Sequence, residues 1–167
     1  KIGYYSADFR NHPVAYQLAN LFEMHDKTKF EIIAFSYGPN IIDASRKRIL
    51  KAVNQFIDIQ KKTDKEVAEL SIELEIDIAV DLTGFSKYSR FGIFVYRCAP
   101  LQINYIGYVG TTGSNCIDYI IGDKILIPKE SQKNYTEKII YLPNSYFITD
   151  SKRKLPKKIF NRKDLGL

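Results

Sequence analysis

The sequence predicts an α/β protein with a doubly wound, mostly parallel, Rossmann-like sheet. Short apolar, β-branched runs recur along the chain, and several are apolar nearly throughout, as strands buried on both faces of a parallel sheet are. Helical patterns separate these runs about every 20 residues, which is typical of strand–helix–strand units with right-handed crossovers. A length of 167 residues with 45% hydrophobic content suits one domain with one good core.

Each apolar run is predicted to form one strand. The runs are residues 2–5, 30–36, 55–59, 76–82, 101–106, 118–123 and 138–143. After Pro143 the periodicity fades. We therefore expect a folded unit over residues 1–149, followed by a basic linker over 150–167 that leads toward a further part of the protein.

Three helices are predicted between the strands. The first begins at Pro13, because proline suits the first turn of a helix. The third begins with a capping box from Thr63 to Glu66. The second, over residues 42–53, is strongly basic, and its charge run is predicted to be a solvated face. The first helix presents one apolar face at helical spacing, formed by Val14, Leu18, Leu21 and Phe22.

Most of the net charge of +6 lies in residues 150–167, which hold seven basic and two acidic residues and so carry +5. A basic tail can bind phosphate or anionic lipid. The segment has little aromatic interleaving and contains a proline, which favours a solvated linker. No nucleic-acid and no membrane partner is therefore predicted.

The two cysteines, Cys98 and Cys116, have neither CxxC spacing nor a histidine cluster beside them. Neither a zinc site nor a disulfide framework is indicated by this spacing. No metal and no cofactor is predicted for this chain. The chain has no run of about 18 apolar residues and opens without a signal-peptide pattern. These observations predict a cytoplasmic location.

The first candidate site follows the first strand, where ligands bind in doubly wound folds. Asp8, Asn11 and His12 cluster there before the first helix, whose free N–H groups favour anions. With an unperturbed pKa near 6.5, a histidine is the side chain best suited to accept a proton at neutral pH. Alternatively, Asn11 or His12 only caps the helix.

A second candidate follows the fourth strand, at Asp81, Thr83 and Gly84. A glycine there permits a tight turn close to a ligand, which the two polar side chains could orient. The alternative is an ordinary strand-to-helix turn in which backbone groups satisfy Asp81.

The third candidate is the small, hydroxyl-rich segment 107–114. Its spacing matches neither the dinucleotide fingerprint nor the P-loop. Its backbone N–H groups and threonine hydroxyls could nevertheless bind a sugar or phosphate. The residues predicted to do so are Gly110, Thr111, Thr112 and Gly113.

Five segments together resemble the catalytic region of the O-linked N-acetylglucosamine transferase and SPINDLY family, a group of GT-B glycosyltransferases. They are SADFRNHP at 6–13, KFEIIAFS at 29–36, DLTGFSK at 81–87, RCAPLQINYIGYVGTTG at 97–113 and IDYIIGD at 117–123. Relatives often have His or Tyr, then Thr, where Phe85 and Ser86 stand, and Pro in place of Cys98 and Val109.

The resemblance implies one lobe of a two-lobed, inverting, metal-independent enzyme that transfers a sugar from a nucleotide-sugar donor to serine or threonine hydroxyls of an acceptor protein. It matches His12 to an active-site histidine, residues 111–113 to a donor-facing loop, and the turn at 81–84 to a second cleft wall. The C-terminal lobe would hold most of the UDP-sugar, so the chain alone is expected to be inactive. The family also implies upstream tetratricopeptide repeats.

Two other functions fit the same residues. A noncatalytic α/β module that binds a protein or peptide would keep the fold, and the apolar ring of Phe85 favours it. A nucleic-acid binder would rely on the basic tail and show salt-sensitive binding.

Overall fold

The computed structural model describes residues 1–153 and 160–167. Each of the predicted runs forms one strand of a single seven-stranded sheet, with ends that differ by one or two residues. The strand predictions are confirmed. The strands are β1 (Ile2–Ser6), β2 (Ile32–Ser36), β3 (Gln55–Asp58), β4 (Ile78–Asp81), β5 (Leu101–Asn104), β6 (Tyr119–Gly122) and β7 (Lys138–Tyr141).

All strand pairs are parallel, and the strand order is β3-β2-β1-β4-β5-β6-β7. In the middle of the sheet, Ile2 of β1 is in register with Ile32 of β2 on one side and with Ile78 of β4 on the other. The strand order reverses between β1 and β4. In open parallel sheets ligands bind at the carboxyl ends of the strands at such a point. The predicted doubly wound, Rossmann-like class is confirmed.

The described part of the chain has four α-helices and two short 3-10 helices. His12 caps the first α-helix, Pro13 is its first residue, and both halves of the Thr63–Glu66 capping box form at the third. The α-helices are α1 (Pro13–Met24), α2 (Ala44–Ala52), α3 (Asp64–Glu73) and α4 (Gly92–Val95), and the 3-10 helices are Lys129–Asn134 and Lys163–Leu165.

Two apolar clusters cover the two faces of the sheet. Neighbouring residues of β1 enter different clusters, since Tyr4 packs with α1 and α2 whereas Tyr5 packs with α3 and α4. The rings of Tyr5 and Phe35 stack with centroids 4.4 Å apart. Burial on both faces explains why the strands read as continuous apolar runs.

The basic run of α2 is only partly the solvated face that the sequence predicts. Lys47 and Lys51 are exposed, but Arg46 is 5% exposed, with its guanidinium carbon 4.7 Å from the Phe56 ring centroid. Arg46 precedes the buried Ile49 by three residues, which places both on the same face of the helix. The prediction was therefore wrong for Arg46, whose partners lie elsewhere in the sequence.

The beginning of the basic tail is held against the helices. Arg48 of α2 binds the carboxylates of Glu23 and Asp150, and the Lys152 ammonium lies 2.7 Å from Glu23. These ion pairs join residues 150–152 to the lobe. Residues 154–159 of the predicted linker lie outside the described residues. Within residues 1–153 and 160–167, no helix has the length and apolar character that crossing a bilayer requires.

Candidate functional site at the carboxyl edge of the sheet

The loop from β1 to α1 places His12 at the start of α1. The His12 Nδ1 accepts a hydrogen bond from the Val14 N–H at 3.3 Å, so His12 does cap the helix. In the neutral ring this bond assigns the proton to Nε2, because Nδ1 uses its lone pair. The side chain is 33% exposed, and Nε2 is left to act as a hydrogen-bond donor.

Asp8 lies directly beside this histidine. Its Oδ2 is 3.6 Å from the His12 Nδ1, and its Oδ1 accepts a hydrogen bond from Arg10 at 3.0 Å. The Asp8 N–H donates to the Ser6 Oγ at 2.9 Å, which fixes the loop as it leaves the strand. The nearly buried carboxylate therefore joins a cation and the imidazole in one cluster.

Asn11 lies on the other side of the loop and contacts α2. Its Oδ1 accepts a hydrogen bond from the Ser45 Oγ at 2.8 Å, and its own N–H donates to Asp43, the cap of α2. Because these contacts join the beginnings of two helices, the Asn11 oxygen is already occupied within the lobe.

Asp81 organises the turn that follows β4. Its Oδ1 accepts hydrogen bonds from the Thr83 N–H at 2.9 Å and the Gly84 N–H at 3.1 Å. Burial raises the pKa of Asp81 to about 6 despite these two bonds. The contacts agree with the alternative in which backbone groups satisfy Asp81.

The same turn is held against its neighbours on both sides. The Thr83 Oγ1 accepts a hydrogen bond from the Ala7 N–H at 3.3 Å, across to the loop after β1. Gly84 has φ +55°, and a Cβ at this position would clash with the Tyr108 side chain. Only glycine meets both conditions at this position. The turn therefore fixes the relative positions of the other two loops.

The third segment, 107–114, begins in close contact with this turn. A Cβ at Gly107 would clash with the Leu82 carbonyl, and the Tyr108 ring packs edge-on against Phe85 with centroids 5.7 Å apart. Gly113 has φ +63° and open space around it. The three predicted loops are therefore contiguous at one edge of the sheet.

Glu137 holds the 107–114 segment, although no local sequence pattern predicts this role. The Thr112 N–H donates to the Glu137 Oε1 at 2.6 Å, the Thr112 hydroxyl donates to the same oxygen, and the Thr111 hydroxyl donates to Oε2 at 2.7 Å. Burial opposes ionisation of Glu137, but these hydrogen bonds outweigh it and lower the pKa. Both threonine hydroxyl protons are thus occupied.

A cavity of about 200 Å³ opens where the first two loops meet. It brings Asp8 and His12 together. The other predicted site residues lie outside its lining: Asn11, Asp81, Thr83, Gly84 and residues 110–113. A larger cavity of about 490 Å³ lies between α1, α2 and residues 147–153 and contains none of the predicted site residues. The lining of the smaller cavity is Asp8, Arg10, His12, Val14, Leu82, Ser86, Lys87, Tyr88 and Gly107.

The described residues contain no cluster of metal-ligating side chains. Among residues 1–153 and 160–167, no three His, Cys, Asp or Glu side chains are grouped so that they could hold a metal ion. The chemistry that this edge supports is hydrogen bonding by an imidazole, a guanidinium, an ammonium and backbone N–H groups.

A polar cavity at the reversal point of a parallel sheet is found in Rossmann-like lobes that bind nucleotides and sugars. A solved structure of a point mutant of the Thermobaculum terrenum O-GlcNAc transferase has the same fold, with a TM-score of 0.84 and 36% identity. The match covers 87% of this chain and 28% of that one. The architecture is thus one Rossmann-like lobe of a GT-B glycosyltransferase.

The model of Glycosyl transferase family 41 matches residues 1–164, and the chain belongs to this family. The resemblance to the O-GlcNAc transferase and SPINDLY family is thereby confirmed. A protein of Arabidopsis thaliana named as a probable UDP-N-acetylglucosamine–peptide N-acetylglucosaminyltransferase SEC is 34% identical over 92% of this chain. The corresponding transferase of Caenorhabditis elegans is 32% identical over 93%.

A SPINDLY protein of Arabidopsis thaliana, named as a probable transferase of the same kind, is 32% identical over 87% of this chain. The chain spans only 14 to 16% of the length of these three relatives. It therefore corresponds to one part of a catalytic region in such proteins.

Proposed function

We propose that this chain is the N-terminal, acceptor-side lobe of a protein that transfers N-acetylglucosamine from UDP-N-acetylglucosamine to serine or threonine hydroxyls. Family membership supports transfer of a sugar, and the names of the relatives support this donor and a peptide acceptor. Because the chain spans a small part of those relatives, we propose that it is inactive without a C-terminal lobe.

The observation that carries the proposal is the position of His12 in the cavity at the reversal point of the sheet. Because the cap fixes Nδ1, the Nε2–H group is the part of the ring that can reach a substrate. We propose that it donates a hydrogen bond to an oxygen of the sugar or the acceptor rather than removing a proton. Asp8 would line the same cavity and hold the Arg10 guanidinium beside the imidazole.

Segment 107–114 would form the wall that faces the donor. Glu137 occupies the hydroxyl protons of Thr111 and Thr112, and the Gly113 N–H already donates to the Thr111 Oγ1 at 3.1 Å. The backbone N–H of Gly110 is therefore the better candidate for contact with phosphate or sugar oxygens. Asp81, Thr83 and Gly84 would act by holding the loops in place, and Asn11 by bracing α2.

The remaining parts of the proposal follow from the resemblance. Transfer would proceed with inversion and without a metal or another cofactor, and the partners would be the C-terminal lobe, the nucleotide-sugar and an acceptor protein. Cys98 and Cys116 are free thiols, which suits a reducing compartment such as the cytoplasm.

One observation favours a noncatalytic peptide-binding module instead. Phe85 is 49% exposed beside the cavity and has no polar group to offer a reacting atom. An exposed aromatic ring at a cleft is typical of a surface that binds a polypeptide.

Radiolabelled sugar transfer separates the two functions. The full-length parent protein would be tested with UDP-N-acetylglucosamine and a panel of other UDP- and GDP-sugars, with residues 1–167 alone as the control. We expect transfer by the parent and none by the lobe. Absence of transfer from every donor, by a parent that still binds acceptor peptide, would favour the binding module.

A further inference from the structure

Tyr88 has a backbone conformation that its side chain disfavours. Its φ is +68°, in the left-handed region that glycine adopts readily and other residues rarely do. The Ser89 N–H donates to the Ser86 carbonyl at 3.1 Å, so Tyr88 is the third residue of a four-residue turn, a position where positive φ calls for glycine. A tyrosine there costs stability.

Among residues 1–153 and 160–167, three other non-glycine residues have positive φ, and each has a structural reason for it. Glu75 follows the end of α3 and donates its N–H to Ile72, which is the usual way in which a helix ends. The Arg97 guanidinium binds Asp118 and the carbonyls of Cys116 and Pro100, while Ile106 packs on the core. The fold explains these residues.

Tyr88 lacks such a reason. Tyr88 is 47% exposed, and its hydroxyl has no hydrogen-bond partner in the described part of the chain. The Lys87 Nζ lies 5.0 Å from the ring centroid, and both residues line the cavity that contains His12. Strained residues with no structural role are concentrated at sites that bind ligands.

The charges at the cavity leave one cation unpaired. Arg10 is neutralised by Asp8 at 3.0 Å, whereas Lys87 makes no ion pair within the described residues. A ligand carboxylate could therefore pair with the Lys87 ammonium while the Tyr88 ring packs on the adjoining chain atoms. The turn is exposed at the opening of the cavity, where a macromolecular ligand can contact it.

We propose that Tyr88 and Lys87 form a subsite for the acceptor polypeptide and select a segment with an Asp or Glu close to the hydroxyl that receives the sugar. This inference rests on the proposed function for the identity of the site. Tyr88 supplies contact area and Lys87 the preference for charge.

The preference is tested with matched peptides in the full-length parent protein. One peptide carries Asp two residues from the acceptor serine, and the other carries Asn there. We expect kcat/KM to be about fivefold higher for the acidic peptide at low salt, and to approach equality as salt screens the pair. Lys87→Gln should abolish the preference, so that the two peptides give the same kcat/KM in that variant.

The role of the ring is tested with Tyr88→Gly, which relieves the backbone strain. We expect an unchanged or higher melting temperature, a KM for either peptide raised about tenfold, and an unaltered KM for the sugar donor. Glu75→Gly is the matched control, because it makes the same backbone change away from the cavity and should leave every kinetic constant alone.

Fluorescence anisotropy of the labelled acidic peptide tests the subsite independently of transfer. Tyr88→Gly should weaken peptide binding by a similar factor even if the parent transfers no sugar, in which case the proposed function fails and the subsite stands. Unchanged peptide affinity and unchanged peptide KM in Tyr88→Gly would overturn the inference. A rise in donor KM instead would also overturn it, because the turn would then belong to the donor site.

Discussion

Asp81 and Glu137 are two buried carboxylates that hold adjacent loops at the same edge of the sheet, yet their pKa values move in opposite directions. Asp81 lies deeper and accepts two backbone N–H groups on one oxygen, so burial dominates and its pKa rises to about 6. Glu137 accepts three donors over both oxygens, and its pKa falls. The balance between depth of burial and the number of hydrogen-bond donors decides whether a buried carboxylate is stable as an anion.

The largest effect should follow removal of the Glu137 carboxylate. Glu137→Ala leaves the Thr112 N–H and two hydroxyls without their acceptor, and should lower the free energy of unfolding by about 3 kcal/mol. Urea denaturation measures it. Lys138→Ala, at the exposed neighbouring position, is the control and should stay within about 0.5 kcal/mol. An equal loss in both variants would mean that the hydrogen bonds to Glu137 contribute nothing.

These two sites also differ in what the sequence could predict. The Asp81 turn is made by residues three positions apart, so the pattern of aspartate, threonine and glycine was enough to suggest it. The partners of Glu137 are Thr112 and Thr111, which precede it by 25 and 26 residues, with β6 between them in the sequence. No local sequence pattern relates residues so far apart. Burial of Arg46 was missed for the same reason, since Phe56 and Ser36 approach it only in the folded sheet. Continuous apolar runs, in contrast, predicted all the strands.

Two glycines at the carboxyl edge of the sheet allow the cost of backbone strain to be distinguished from the cost of a steric clash. The expected losses in unfolding free energy are smaller than for Glu137→Ala. Both Gly84 and Gly113 have positive φ, but only at Gly84 would a Cβ clash with Tyr108. Gly113→Ala should therefore cost about 1 kcal/mol and Gly84→Ala at least about 2 kcal/mol of unfolding free energy. Thermal and urea denaturation of the pair checks this. Equal costs would show that Tyr108 moves aside freely.

The smallest change in the free energy of unfolding is expected for replacement of Asp81. Unlike the substitutions above, it should stabilise the protein. The folded pKa lies above the unfolded one, so this group stabilises the fold below about pH 4, and that contribution is lost as the pH rises through about 6. Asp81→Asn keeps an oxygen for the two backbone donors and removes the charge. At pH 7 it should raise the free energy of unfolding by about 1 kcal/mol, with little change at pH 4.

Unfolding measured from pH 4 to pH 7 tests this sign directly. Glu137→Gln provides the contrast, because the folded pKa of Glu137 is depressed and its contribution is present above the unfolded pKa. It should be destabilising at pH 7, and the difference from the wild type should shrink as the pH falls toward the folded pKa. A destabilising Asp81→Asn at pH 7 would show that the charged form is the one the turn requires.

The central claim, that His12 acts on substrate as well as capping α1, is tested most directly by His12→Asn in the full-length parent protein. Asparagine keeps a side-chain oxygen that can accept from the Val14 N–H, so the helix cap and the melting temperature should be preserved. Loss of the Nε2–H donor should lower the rate of sugar transfer roughly 100-fold or more. Undiminished transfer by this folded variant would reduce His12 to a cap and contradict the account.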